Sequence, residues 1–168
     1  MSPQPVFRAV ELMDMAVQIE EHGRAFYEAC LSATENKELK DVFRYLLNQE
    51  IEHARVFSRM KQERGEEEVL PESYPGEMRR YLDAFVEGEI FDDPESATRK
   101  ARGIEDPDEV IEAALAIEKQ SILFYSGMKS LVRPSDAEDV DRIMAEEHNH
   151  VRRLLALRRD RTTRSSTG

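Results

Sequence analysis

Apolar residues recur along this chain at steps of three and four, in four long stretches parted by runs rich in proline, glycine and small polar residues. That spacing predicts helices with one buried stripe each. The stretches cover roughly 6–32, 37–63, 107–131 and 136–160. Their ends carry chemical signals. Asn36 offers a cap for the second helix, and Gly65 a stop. Asp106-Pro107-Asp108-Glu109 supplies a capping carboxylate, a proline at the first helical position and acids for the positive end of the helix dipole. Ser135-Asp136-Ala137-Glu138, just after Pro134, reads as a capping box. Sustained alternation and hairpin dipeptides are missing, so the fold class is all-α.

The second and third helices are joined by residues 66–105, far more than the ~2–8 residues that antiparallel neighbours need. A 25-residue helix is ~38 Å long, and a connection of this length can return along the whole of it. The pattern therefore predicts a four-helix bundle with one long crossover. Within the crossover, Met78, Tyr81, Leu82, Phe85 and Val86 have the spacing of a short amphipathic helix. Gly88, Pro94, Gly103 and Pro107 mark an irregular zone. Residues 1–160 make up the bundle, and the polar segment 161–168 is expected to be a disordered tail.

The inner stripes are interrupted in the same way on every helix. The second reads Leu39, Phe43, Leu46, Glu50, His53, Phe57, Met60, and the fourth Val140, Ile143, Glu147, His150, Leu154, Leu157. The first reads Met13, Ala16, Glu20, Tyr27, Leu31, and the third Ile111, Ala114, Glu118, Ser121, Tyr125, Met128, Val132. The pattern is an internal repeat: Glu20 precedes Phe26-Tyr27 as Glu118 precedes Phe124-Tyr125, and each hairpin adds a Glu-x-x-His. Two matched hairpins imply a pseudo-two-fold axis through the bundle.

Four carboxylates converging in an apolar interior are intolerable unless something neutralises them, because even one unpaired buried carboxylate costs several kcal/mol. No arginine lies on these stripes. Two divalent cations would cancel the four negative charges, with two neutral imidazoles completing the coordination. The candidate ligands are Glu20, Glu50, His53, Glu118, Glu147 and His150. This set, one Glu from each of two helices and a Glu-x-x-His from each of the other two, is the arrangement general to di-iron and di-manganese carboxylate bundles. Tyr27 and Tyr125 either fill the core or hydrogen-bond ligand carboxylates. His22 and His148 fall off the stripes and are expected at the surface, while Cys30, Met13, Met60, Met128 and Met144 are expected to pack.

Composition narrows the rest. Charged residues are 35 % and hydrophobic ones 40 % of 168, with a net charge of −11 that disfavours nucleic-acid partners. One cysteine excludes an internal disulfide, a CxxC zinc site and a rubredoxin-type iron centre in this chain. No apolar run approaches the ~20 residues that span a bilayer, and the expectation is a cytoplasmic protein with no membrane partner.

The segments AVQIEEHGRAFYEA, LLNQEIEHARVF, ALAIEKQSILFY and IMAEEHNHVRRL resemble the ferritin-like superfamily, and within it the di-iron domain of the rubrerythrin group. The resemblance covers nearly the whole chain. It implies a ferritin-like four-helix bundle, with Glu50 and Glu147 as bridging carboxylates and Glu20 and Glu118 as terminal ones. It also implies two iron ions oxidised by O2 or H2O2 with an external electron donor. Manganese or zinc suits the same donors. Three features depart from relatives: no paired CxxC motifs, Ser121 where rubrerythrins usually carry a further glutamate, and Ile51 where bacterioferritins place a haem-ligating methionine. Two other readings share these residues: a metal-buffering protein with little turnover, and a metal-free helical interaction module. All six ligands lie in one chain, so a monomer suffices, and a two-fold homodimer is compatible.

Overall fold

Asn36 Oδ1 accepts from the Leu39 amide at 3.1 Å and Asp106 Oδ1 from the Asp108 amide at 2.9 Å, so two helices begin where their caps predict. The computed structural model describes residues 8–66, 68–70, 80, 84 and 94–166. Its helices, in chain order, are α1 (Ala9–Ala33), α2 (Lys37–Gln62), α3 (Pro94–Gly103), α4 (Pro107–Met128) and α5 (Pro134–Ser166). No strand forms among the described residues; one isolated bridge joins Arg8 to Val69. The all-α reading holds.

Short connections make two hairpins, α1 with α2 and α4 with α5. Ion pairs show how they run. Lys61 near the end of α2 meets Asp14 near the start of α1 at 2.6 Å. Arg59 reaches Asp139 at the start of α5 at 2.6 Å, and Arg164 at the far end of α5 reaches Glu38 at the start of α2 at 2.9 Å. Hence α2 and α5 are antiparallel neighbours. The chain between α2 and α4 must travel from one end of the bundle to the other, as the crossover length predicts.

The structure corrects three expectations. The irregular zone contains a helix, α3, whose Ala97 and Ala101 are buried against the α1 end of the core. Proline at its start, Glu95 in its first turn and Lys100 and Arg102 in its last are favourable helix-end residues. The proposed helix at Met78, Tyr81, Leu82, Phe85 and Val86 lies outside the described residues.

The second correction concerns the start of α5, which begins at Pro134 instead of being capped by Ser135. Asp136 is buried, and its carboxylate pairs with the buried guanidinium of Arg64, which also holds Glu68 at 2.7 Å.

The third is the tail: α5 continues through Ser166 instead of fraying at 161. Arg158 pairs with Glu112, Arg161 with Asp108 at 2.8 Å and Arg164 with Glu38, so the last turns rest on α4 and α2.

The core has two apolar parts. One contains Leu12, Met13, Ile19, Phe57, Met128 and Ile143; the other contains Phe26, Cys30, Phe43, Leu46, Ile111 and Leu154. The interrupted stripes lie between them in sequence on each of the four long helices.

Candidate metal centre

Glu20, Glu50, His53, Glu118, Glu147 and His150 are each 2 % exposed or less. Their helices bring them into two overlapping groups. Glu20, Glu50, His53 and Glu147 each offer a ligand atom within 4.8 Å of the others, and so do Glu50, Glu118, Glu147 and His150. Glu50 and Glu147 belong to both groups. The imidazoles face inward through Nδ1. His53 Nδ1 is 2.8 Å from Glu147 Oε1 and 3.4 Å from Glu20 Oε2. His150 Nδ1 is 3.0 Å from Glu118 Oε2, 3.4 Å from Glu147 Oε2 and 3.9 Å from Glu50 Oε1. The rings lie 5.7 Å apart and 17° from parallel.

Both tyrosines are fully buried and donate across the bundle. Tyr27 of α1 bonds Glu118 of α4, and Tyr125 of α4 bonds Glu20 of α1. Phe43 stacks on Tyr27 at 6.0 Å and Phe57 on Tyr125 at 5.0 Å, holding each phenol in place. Each hairpin thus orients the other's single carboxylate. The alternative of core filling alone is set aside by these contacts.

The donor set fits cations. Glu20 Oε2, Glu50 Oε1, both carboxylate oxygens of Glu147 and His53 Nδ1 are buried without a hydrogen bond among the described residues. His53 Nδ1 and Glu147 Oε1 approach without hydrogen-bond alignment, so their contact is one of charge alone. Buried polar atoms are rarely left in this condition. Six hard or borderline N/O donors converge, and four of them present buried inward atoms that make no hydrogen bond, a set that suits divalent first-row cations.

Protons relieve the same charge when cations do not. Burial pushes the Glu50 carboxyl well up, helped by Glu20, Glu118 and Glu147, and burial with the Glu118 charge brings Glu147 to about 8. Burial works against imidazolium at His53 and His150, but the carboxylates of Glu20 and Glu147 raise the first to about 11, and those of Glu118 and Glu147 raise the second to about 10. Burial also opposes charge on Glu118, yet hydrogen bonds led by that from His150 hold it below the usual range. Both phenols are pushed well up by burial and the neighbouring acids, so they remain donors.

The other assignments divide. His148 is exposed, as expected, with Nδ1 2.6 Å from the Met144 carbonyl. His22 is buried at 5 % exposure, which corrects its expected surface position. Cys30 is buried and burial raises its thiol to about 12, so it packs without reacting. Ser121 donates to its own helix at the Ile117 carbonyl, 3.2 Å away.

Two residues escaped the sequence reading. Gly23, one turn after Glu20, lies against Glu50: a Cβ there would sit 3.0 Å from Glu50 Cδ and nearer still to Oε2. A glycine inside a long helix is a detectable signal of close approach. Half-buried Glu146 lies 2.7 Å from His53 Nε2, and nothing in its spacing set it apart from the many acids off the inner stripes.

A helical bundle with a long crossover carries two overlapping buried Glu/His groups at its centre. Its fold is similar to that of a Thermotoga maritima protein described as ferritin-like and diiron-carboxylate, with a TM-score of 0.66 and 24 % identity over 92 % of this chain and 96 % of that one. The chain belongs to the rubrerythrin family, whose sequence pattern matches residues 11–158. No curated protein matches it.

Proposed function

We propose that Glu20, Glu50, His53, Glu118, Glu147 and His150 bind two iron ions and that the protein oxidises Fe(II) with O2 or H2O2 as a rubrerythrin-like oxidoreductase. The observation that carries this reading is the membership of Glu50 and Glu147 in both donor groups, which lets two carboxylates serve two adjacent cations. When bound, the pair of ions supplies one electron each to the oxidant.

The chain's own residues do the rest. Glu50 and Glu147, common to both groups, would hold both ions; Glu20 and His53 would complete one set and Glu118 and His150 the other. Tyr27 holds Glu118 through Oε1 and Tyr125 holds Glu20 through Oε1. The buried aromatic rings beside them keep bulk water from the cluster. The raised histidines and Glu147 carry protons that must leave as cations enter, so binding releases acid. Repeated turnover needs an electron donor, which on this reading is external.

The test is anaerobic loading of metal-free protein with Fe(II), followed by O2 or H2O2. Oxidant consumption with growth of ferric near-ultraviolet absorption is expected, continuing when a reductant is supplied. A single stoichiometric oxidation with no turnover would favour iron buffering, and no oxidation at all would reject the oxidoreductase reading. Among the described residues no helix is long and apolar enough to cross a membrane.

A further inference from the structure

The internal repeat pairs nearly every feature of the cluster with a twin, which makes an unmatched one informative. Glu20 and Glu118 are twins, each holding a phenol from the opposite hairpin. Glu50 and Glu147 are twins common to both donor groups. His53 and His150 are twins facing inward through Nδ1. Their outer nitrogens differ. His53 Nε2 lies 2.7 Å from Glu146 Oε2. His150 Nε2 is buried with no hydrogen-bond partner among the described residues, and the Tyr45 ring meets that imidazole edge-on at 5.8 Å. The residue preceding Glu50, in the place corresponding to Glu146, is the neutral Gln49.

We propose that Glu146 makes the two cation positions unequal, so that the position closed by Glu20 and His53 binds its ion more tightly than the one closed by Glu118 and His150. This rests on the two-cation reading above. An imidazole that donates its outer N–H to a carboxylate is fixed in ring orientation and is a more basic ligand; loss of such a partner typically weakens metal binding ~10–100-fold. Glu146 is a positioning residue, acting through His53. Its side chain is 34 % exposed and its other oxygen accepts from Arg142 at 3.3 Å, which dilutes its charge and places the effect toward the lower end of that range.

Gly23 and Ser121 also break the repeat, but neither favours one position. Gly23 abuts Glu50, which both groups share, and Ser121 bonds its own helix.

The experiment is titration of metal-free protein with Zn(II) against a competing chelator, repeated with Co(II) and read by ligand-field absorption. Two steps separated by about tenfold or more are expected. Glu146→Gln weakens the tighter step by about tenfold, leaves the looser one in place and merges the two; Glu146→Asp retains the separation. Glu118→Ala leaves one ion bound at the tighter constant. Two equal steps in the unsubstituted protein, or a Glu146→Gln variant with both constants unchanged or both weakened alike, would overturn the inequality while leaving the two-cation centre standing. Absence of Zn(II) and Co(II) binding would overturn the centre itself.

Discussion

The Glu50 carboxylate lies in the space that a side chain at position 23 would occupy, pressed against the backbone of α1 one turn beyond Glu20. Gly23→Ala must therefore move Glu50. Alanine is a better helix former than glycine by ~1 kcal/mol, so the metal-free fold gains on one account what it loses on the other. Metal binding has no such compensation, because Glu50 is common to both donor groups. Affinity at both positions should fall by about tenfold or more, measured by chelator competition. Unchanged affinity would show that Glu50 relaxes freely.

The crossed tyrosine bonds make a second prediction. Tyr27→Phe and Tyr125→Phe each keep the ring and its stacking but remove a hydrogen bond to a buried carboxylate. Hydrogen bonds to charged groups contribute ~1.5–3 kcal/mol, and ~1 kcal/mol shifts Tm by about 2–4 °C at this chain length. Each variant should therefore melt several degrees lower, measured by calorimetry. A variant as stable as the parent would mean that the hydroxyl contributes nothing beyond packing.

Shared and unshared carboxylates should differ in metal stoichiometry. Glu118→Ala removes a donor from one group alone, whereas Glu147→Ala removes one from both. Elemental analysis is expected to give about one ion per chain for the first and close to none for the second, against about two for the parent. Equal losses would contradict the sharing.

Protons and cations compete for the same buried cluster. In metal-free protein His53 and His150 are raised from 6.5 to about 11 and about 10, and Glu147 from 4.5 to about 8. Each group holds its proton more tightly folded than unfolded. Its stabilisation is complete below the unfolded value and is lost as pH rises through the folded one. The metal-free protein should therefore lose stability from about pH 5, where unfolded Glu147 gives up its proton, up to about pH 11, where folded His53 does. Cation binding competes with the same protons and strengthens over that range. Denaturant melts with and without Zn(II) should show stabilisation by the ion growing with pH; a metal-free midpoint that rises across the range would refute the proton arrangement.

How far the site was legible differs residue by residue. The six donors could be named because helical period alone places Glu20, Glu50, His53, Glu118, Glu147 and His150 on the stripes that must face a core. His22 was misplaced because a helix packed on several sides buries more than one stripe, and α1 has buried residues around most of its circumference. The helix α3 was obscured by the proline and glycine that bound it, and the last turns of α5 by a polar composition that gains helical order from ion pairs to α2 and α4. Exposed pairs of this kind contribute ~0–1 kcal/mol each, too little to be inferred from composition.

Taken by itself, the amino-acid order determined which way each donor points, because periodicity is a property of one helix and needs no neighbour. Tertiary structure decided the partnerships: Tyr27 with Glu118 instead of an acid of its own hairpin, Glu50 against Gly23, and Glu146 reaching across to His53 while Gln49 offers no twin carboxylate. The reason is physical. The axial offset and rotation between helices come from packing the whole core at once, and a shift of one residue, 1.5 Å along the axis, is enough to exchange one hydrogen-bond partner for another.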